Sequence, residues 1–145
     1  MIYREKIQVD TIKRFTDITK DVQSIINNSN ISNGICSIFS KHTTCGIKVM
    51  ENEILSLADI MTFLETIIPD NKKYQHDRID IRDVPLDERI NAVSHIRMLC
   101  FPTSETIPIE NNKLLLGKWQ TVFLAEMDYG TPFRKREIII TVFGE

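Results

Sequence analysis

The chain is predicted to fold as a single α+β domain over residues 1–145, with helices packed against a mixed or antiparallel sheet. Three observations predict this. Strand and helix patterns interleave without the regular period of βαβ units. Two stretches carry apolar residues three and four positions apart, the signature of an amphipathic helix. From Thr103 onward the chain turns to strands, four of them in succession. The 145 residues make one ordinary domain, and 42% hydrophobic with 26% charged residues is a packed globular composition without repeat or linker.

The elements follow in order. Residues 2–9 alternate charged and apolar side chains, imperfectly, as a half-buried strand does. From Thr16 the period changes. Thr16 or Asp17 is placed to cap a helix whose face is Ile18, Val22, Ile25 and Ile26, and Asn27 to Asn30 end it. Asn33-Gly34 turns the chain into the nearly continuous apolar run Ile35 to Phe39, a central strand, and Ile47 to Glu51 forms a short second one. Asn52 is placed to cap the next helix, where Leu55, Ala58, Met61, Phe63, Leu64 and Ile67 give a broad apolar face that stops before Pro69. Residues 70–86 are charged and aperiodic, a loop or cover. Leu86, Ile90, Val93, Ile96 and Met98 then predict a short helix that puts Asn91 and His95 on one face. Strands are expected at 106–109, 114–116, 121–125 and 138–143, with Asn111-Asn112 supplying a left-handed turn between the first two.

Composition excludes several functions. A formal charge of −2, from 18 basic and 20 acidic residues, provides no field to hold a polyanion, so nucleic acid is not the expected partner. Cys36, Cys45 and Cys100 are odd in number and lack the spacing of a zinc ribbon or redox pair, which fits free thiols in a reducing compartment. Residues 1–10 lack a signal-peptide core, and no apolar run approaches the ~20 residues that span a bilayer. A cytoplasmic protein without a membrane partner is expected.

The chain has three histidines, His42, His76 and His95, and histidine is the commonest side chain for metal ligation and for proton transfer near neutral pH. Taken singly, each is more often a histidine tied to a backbone carbonyl. Taken together, at a strand end, in Tyr74-Gln75-His76-Asp77 and on an apolar helix face, they point to one pocket for a metal or an anion. Asp77 and Glu51 are acids that can orient an imidazole or bind a cation, against the plainer reading of solvated acids. Thr43 and Thr44 offer hydroxyls and N–H groups to an anion, or merely favour a strand. Arg134 and Arg136 have the planar fork that binds phosphate or carboxylate, while Lys135 reads as part of a charged turn. Trp119, before Gln120, reads as packing in the core or at a subunit interface rather than a substrate platform. Among the thiols only Cys45, beside the histidine motif, is a candidate nucleophile. Cys36 and Cys100 lie in apolar runs and read as small hydrophobes.

His42-Thr43-Thr44, Tyr74-Gln75-His76-Asp77, Asn91 with His95, Leu116-Gly117-Lys118-Trp119-Gln120, Glu126, Arg136 and Gly144-Glu145 together resemble the YjbQ-like family, from about the first strand to the last residue. The chain departs from the common pattern at Met50, Ser94, Asn112 and Lys118, where many members have Asn, Ala, Gly and Thr. The resemblance implies an α+β homotrimer with the histidine motifs in a pocket near a subunit interface, holding a divalent metal, zinc foremost, or an anion. It also implies a secondary thiamine-phosphate synthase activity, in which pyrophosphate is expelled and a phosphorylated small molecule or inorganic anion occupies the pocket. With the residue reading above, this assigns His42, His76 and His95 as metal ligands. His42, Thr43, Thr44, Glu51, Asp77 and Arg136 are assigned to catalysis, and Asn91, Trp119, Gln120, Glu126 and Arg134 to substrate binding. The rival classes are a non-catalytic trimer that binds metal or a metabolite, and a purely structural module.

Overall fold

A computed structural model describes residues 1–145 as two antiparallel sheets and three α-helices. The elements are β1 (Ile2–Asp10), β2 (Phe15–Asp17), α1 (Thr19–Ser29), β3 (Gly34–Ser40), β4 (Cys45–Glu51), α2 (Ile54–Ile67), α3 (Ala92–Arg97), β5 (Ser104–Glu110), β6 (Lys113–Leu114), β7 (Gln120–Glu126) and β8 (Lys135–Gly144), with single 3₁₀ turns at Gln75–Asp77 and Met98–Cys100. One sheet has the order β1-β8-β3-β5-β6 and the other β2-β7-β4. The fold class is as expected, and every paired strand runs antiparallel.

The core follows from alternation. On β8, Ile138, Ile140 and Val142 point inward, and on β7 Val122 and Leu124 do the same. They meet Cys36 and Ile38 of β3, Ile47 of β4, Ile107 and Ile109 of β5, and the α1 stripe Val22, Ile25 and Ile26. Each such side chain contributes roughly 1.5–3 kcal/mol by leaving water. The opposite face of β7 is covered as well: Ala125 and the following Met127 pack with Leu64 of α2, Met98 and Phe101. Burial on both faces explains why residues 122–128 form an uninterrupted buried run.

Several details differ from the sequence reading. Residues 15–17 pair with β7 as β2, so α1 begins later, at Thr19, where Asp17 Oδ1 accepts the Thr19 N–H. Glu53, not Asn52, caps α2, its carboxylate accepting from Leu55 and Ser56 N–H. The broad apolar face of α2 is not all core: Leu64 is buried, whereas Ile54, Leu55, Phe63 and Ile67 are exposed. Leu86 and Ile90 are likewise exposed and precede α3, because the chain enters the helix only at Asn91. Asn111 and Asn112 do take the left-handed conformation, at φ 51° and 63°. Gly34 sits so close to β8 that a Cβ there would lie 1.9 Å from the Phe143 carbonyl oxygen. No helix is long and apolar enough to cross a membrane.

Candidate functional site

At one end of the space between the sheets the apolar core gives way to charge. The inward face of β8 that carries Ile138 and Ile140 continues to Arg136, and the face of β7 that carries Val122 and Leu124 continues to Glu126. Glu126 is fully buried and Arg136 is 5% exposed. Arg136 Nε and Nη2 each donate to the Glu126 carboxylate at 2.6 Å, and Nη2 also donates to Thr44 Oγ1 at 2.8 Å. Burial works against the guanidinium's charge, but the hydrogen bonds to Glu126 outweigh it and raise the Arg136 pKa. With its oxygen accepting from Arg136, the Thr44 hydroxyl keeps its own proton for another acceptor.

Beyond this ionic plug lies a cleft of about 400 Å³ whose walls contain no hydrophobic residue. Residues 41–44, the link from β3 to β4, supply Lys41, His42, Thr43 and Thr44 to it, and β8 with its approach supplies Arg134 and Arg136. The expected cover, residues 70–86, closes the other side with His76 and Arg82, joined by Glu88 and by Asn91 and His95 at the start of and within α3. Two larger depressions, about 500 and 660 Å³, are lined largely by apolar side chains and contain no histidine.

All three histidines line this one cleft. The rings of His76 and His95 stand edge to face with centroids 4.7 Å apart. Burial lowers the His95 pKa, and the neighbouring His76 adds to the effect. His42 is also lowered, first by burial and then by the Arg136 charge, so its ring is neutral at pH 7. Its Nε2 accepts the backbone N–H of Glu137 at 3.1 Å. A neutral ring that accepts at Nε2 carries its proton on Nδ1, so His42 is held as a hydrogen-bond donor.

The metal expected from the resemblance would need a free ring nitrogen from each of His42, His76 and His95, and His42 does not offer one at Nε2. His42 Nε2 is engaged, and Asp77 Oδ1 accepts the Ala92 N–H at the start of α3. No three His, Cys, Asp or Glu side chains are grouped to hold an ion. With His42 Nε2 engaged, the three imidazoles do not form a tripod of free ring nitrogens for a tetrahedral zinc.

Other expected residues divide clearly. Asn91, Arg134, Thr43, Thr44 and Arg136 reach the cleft, and Glu126 stands directly behind it. Glu51, Trp119 and Gln120 do not. β4 and β7 pair from Cys45–Glu126 at the cleft end to Glu51–Gln120 at the far end, six strand steps and so about 20 Å away. Trp119 is 66% exposed, with Lys118 Nζ 4.8 Å from its ring centroid, so it is not core packing in this chain. Cys45 is buried against Ser40 Oγ, and burial raises its pKa, which removes it as a poised thiolate. Cys36 is buried too, its pKa pushed up to about 12, whereas Cys100 is exposed and not the core residue its apolar run indicated.

Sequence reasoning missed Arg82, Glu88 and Asp128. Asp128 accepts from Asn91 Nδ2 and Arg89 Nη2, both at 3.1 Å, and from Arg134 Nη2, and so ties the cover to the strand approach. Burial opposes its charge, but the hydrogen bonds from Arg134 and Asn91 prevail and hold its carboxyl below the usual range.

Comparison with known proteins agrees with this architecture. The sequence profile of the family described as UPF0047 protein YjbQ-like matches residues 5–145. A UPF0047 protein of Methanothermobacter thermautotrophicus is 36% identical over 99% of this chain and 94% of its own length, and the Bacillus subtilis UPF0047 protein YugU is 28% identical over 84% and 87%. Among solved structures, a Sulfolobus solfataricus protein described as YbjQ-like and of unknown function superposes with a TM-score of 0.85 at 31% identity, covering 100% of this chain and 99% of that one. With a profile match across nearly its whole length and relatives above 30% identity, the chain belongs to the UPF0047, YjbQ-like family.

Proposed function

We propose that the cleft binds a phosphate-bearing small molecule and acts on it by proton transfer and anion stabilisation. The observation that carries this reading is the composition of the walls: four cationic side chains, three imidazoles and a single carboxylate, Glu88, with no apolar residue among them. Small-molecule pockets are ordinarily lined mostly by hydrophobic groups, so an entirely polar lining selects a ligand recognised by charge and hydrogen bonds. Arg134 and Arg82 hold the anion. Arg82 Nη1 donates to the His76 carbonyl at 2.7 Å, which fixes the guanidinium while its other N–H groups stay available. His42 Nδ1–H and the Thr44 hydroxyl add neutral donors. The adjacent His76 and His95 form the acid–base pair, one ring able to hold a proton that the other releases.

The reaction implied by the resemblance is thiamine-phosphate synthesis. A thiazole phosphate nitrogen forms a bond to the methylene carbon of a pyrimidine methyl diphosphate, the carbon–oxygen bond breaks, and pyrophosphate leaves with the electron pair. Fixed donors lower such a barrier by stabilising the departing charge. Assay of thiamine phosphate formation from the two precursors tests it, with His76→Ala and His95→Ala measured separately. Loss of turnover in either variant, with the fold retained, supports the cleft as the site. Unchanged turnover in both removes the cleft from that chemistry.

A further inference from the structure

Two buried polar atoms of the cleft residues have no partner in the protein. Asn91 is 8% exposed, and its Nδ2 donates to Asp128 Oδ2, which turns Oδ1 away from that carboxylate and leaves it without a donor. Arg134 donates to the same Asp128 oxygen through Nη2, and its buried Nε meets no acceptor. The unmatched acceptor and the unmatched donor thus belong to two side chains held on one and the same carboxylate oxygen. Buried polar atoms are almost always satisfied, and exceptions gathered at one site mark the place of a missing partner.

An anionic oxygen alone satisfies Arg134 Nε but is repelled by Asn91 Oδ1. The pair calls for a ligand with an anion and a hydroxyl close together. The walls narrow the class further, since a ring or alkyl group entering the cleft finds no apolar side chain to cover it and gains nothing by leaving water. Glu88 offers a second acceptor for a hydroxyl proton.

Resting on the anion-binding reading above, we infer that the ligand of this cleft is a polyhydroxylated phosphate of the sugar-phosphate class, with one hydroxyl donating to Asn91 Oδ1 and the phosphate accepting from Arg134 Nε. Asn91 is then the residue that distinguishes a hydroxylated phosphate from an aromatic one. The aromatic precursors of thiamine phosphate are secondary ligands here, held by their phosphates only.

Calorimetric titration of the full-length protein with inorganic phosphate, ribose 5-phosphate and phenyl phosphate tests the inference. Ribose 5-phosphate is expected to bind at least tenfold more tightly than either of the others. Asn91→Ala, checked for fold by circular dichroism, is expected to bring ribose 5-phosphate within threefold of inorganic phosphate. Phenyl phosphate binding as tightly as ribose 5-phosphate overturns the hydroxyl assignment and leaves the anion site standing, and so does equal binding of inorganic phosphate. Failure of all three to bind overturns the anion reading and this inference together. The ranking in the unsubstituted protein decides the matter even if the Asn91 variant does not fold.

Discussion

Arg136 grips both carboxylate oxygens of Glu126, with Nε and Nη2 each 2.6 Å from an oxygen, in a position where neither residue meets solvent to any useful extent. The pair closes the polar end of the core and sets the floor of the cleft. Removing one partner leaves a buried charge uncompensated. Arg136→Met is therefore expected to lower unfolding free energy by about 3–5 kcal/mol in urea denaturation, and Glu126→Leu by a comparable amount. The double variant Glu126→Leu with Arg136→Met is expected to lose much less than the sum, because no charge is then stranded. Additive losses would show that the two residues do not act as a pair.

His76 and His95 make a distinct prediction. Their rings touch edge to face and line the cleft, but both are partly exposed and neither closes the core. Alanine at either position is expected to cost under about 1 kcal/mol of stability while weakening phosphate binding or turnover tenfold or more. A variant that loses stability and retains binding would make the histidine structural.

The pH dependence follows from two lowered histidines. His42 and His95 titrate below 6.5 when folded, mainly through burial, so on acidification the unfolded chain takes up protons first. Stability from this source is complete above about pH 6.5 and falls as pH drops through that value, a window separate from the loss near and below 3.8 due to Asp128. Urea midpoints at pH 7.5 and about pH 5.5 should show the decrease, and His95→Gln should reduce it. A midpoint that rises on acidification contradicts the assignment.

Gly34 lies where β3 runs closest to the end of β8. Gly34→Ala would place a methyl 1.9 Å from the Phe143 carbonyl oxygen, and backbone on both sides must shift. A loss of roughly 1–3 kcal/mol is expected by chemical denaturation, with Gly117→Ala as the mild control, since a Cβ there meets only the Gln120 side chain, 3.3 Å away.

The fold was readable where one physical signal decided the matter: alternation marked β1, a nearly continuous apolar run marked β3, and two consecutive asparagines marked the turn before β6. Boundaries failed where two signals competed. Thr16 and Asp17 carry the chemistry of a helix cap, but pairing with β7 captures them as β2. On α2, apolar character predicts a buried face, although the helix finds only one small cluster to pack against, through Leu64. In the site, His42, His76 and His95 were recoverable because histidine is rare in this chain and each sits at an informative position. Asp128, Arg82 and Glu88 were not, since a single acid or base in a loop has no period to mark it. Glu51 and Gln120 lie away from the cleft for a related reason: membership of a motif assigns each to the site without showing that they pair with each other at the far end of β4 and β7.

Arg136 belongs to the same set of alternate β8 positions as Ile138, Ile140 and Val142, and the backbone N–H that orients His42 comes from the intervening Glu137. A shift of β8 by one position against its neighbours would turn those isoleucines outward and, in the same movement, carry the guanidinium off Glu126 and break the tie to the imidazole. The hydrophobic interior therefore acts as proofreader for the polar cleft, because a chain that has aligned its greasy side chains correctly has already aimed its cationic ones.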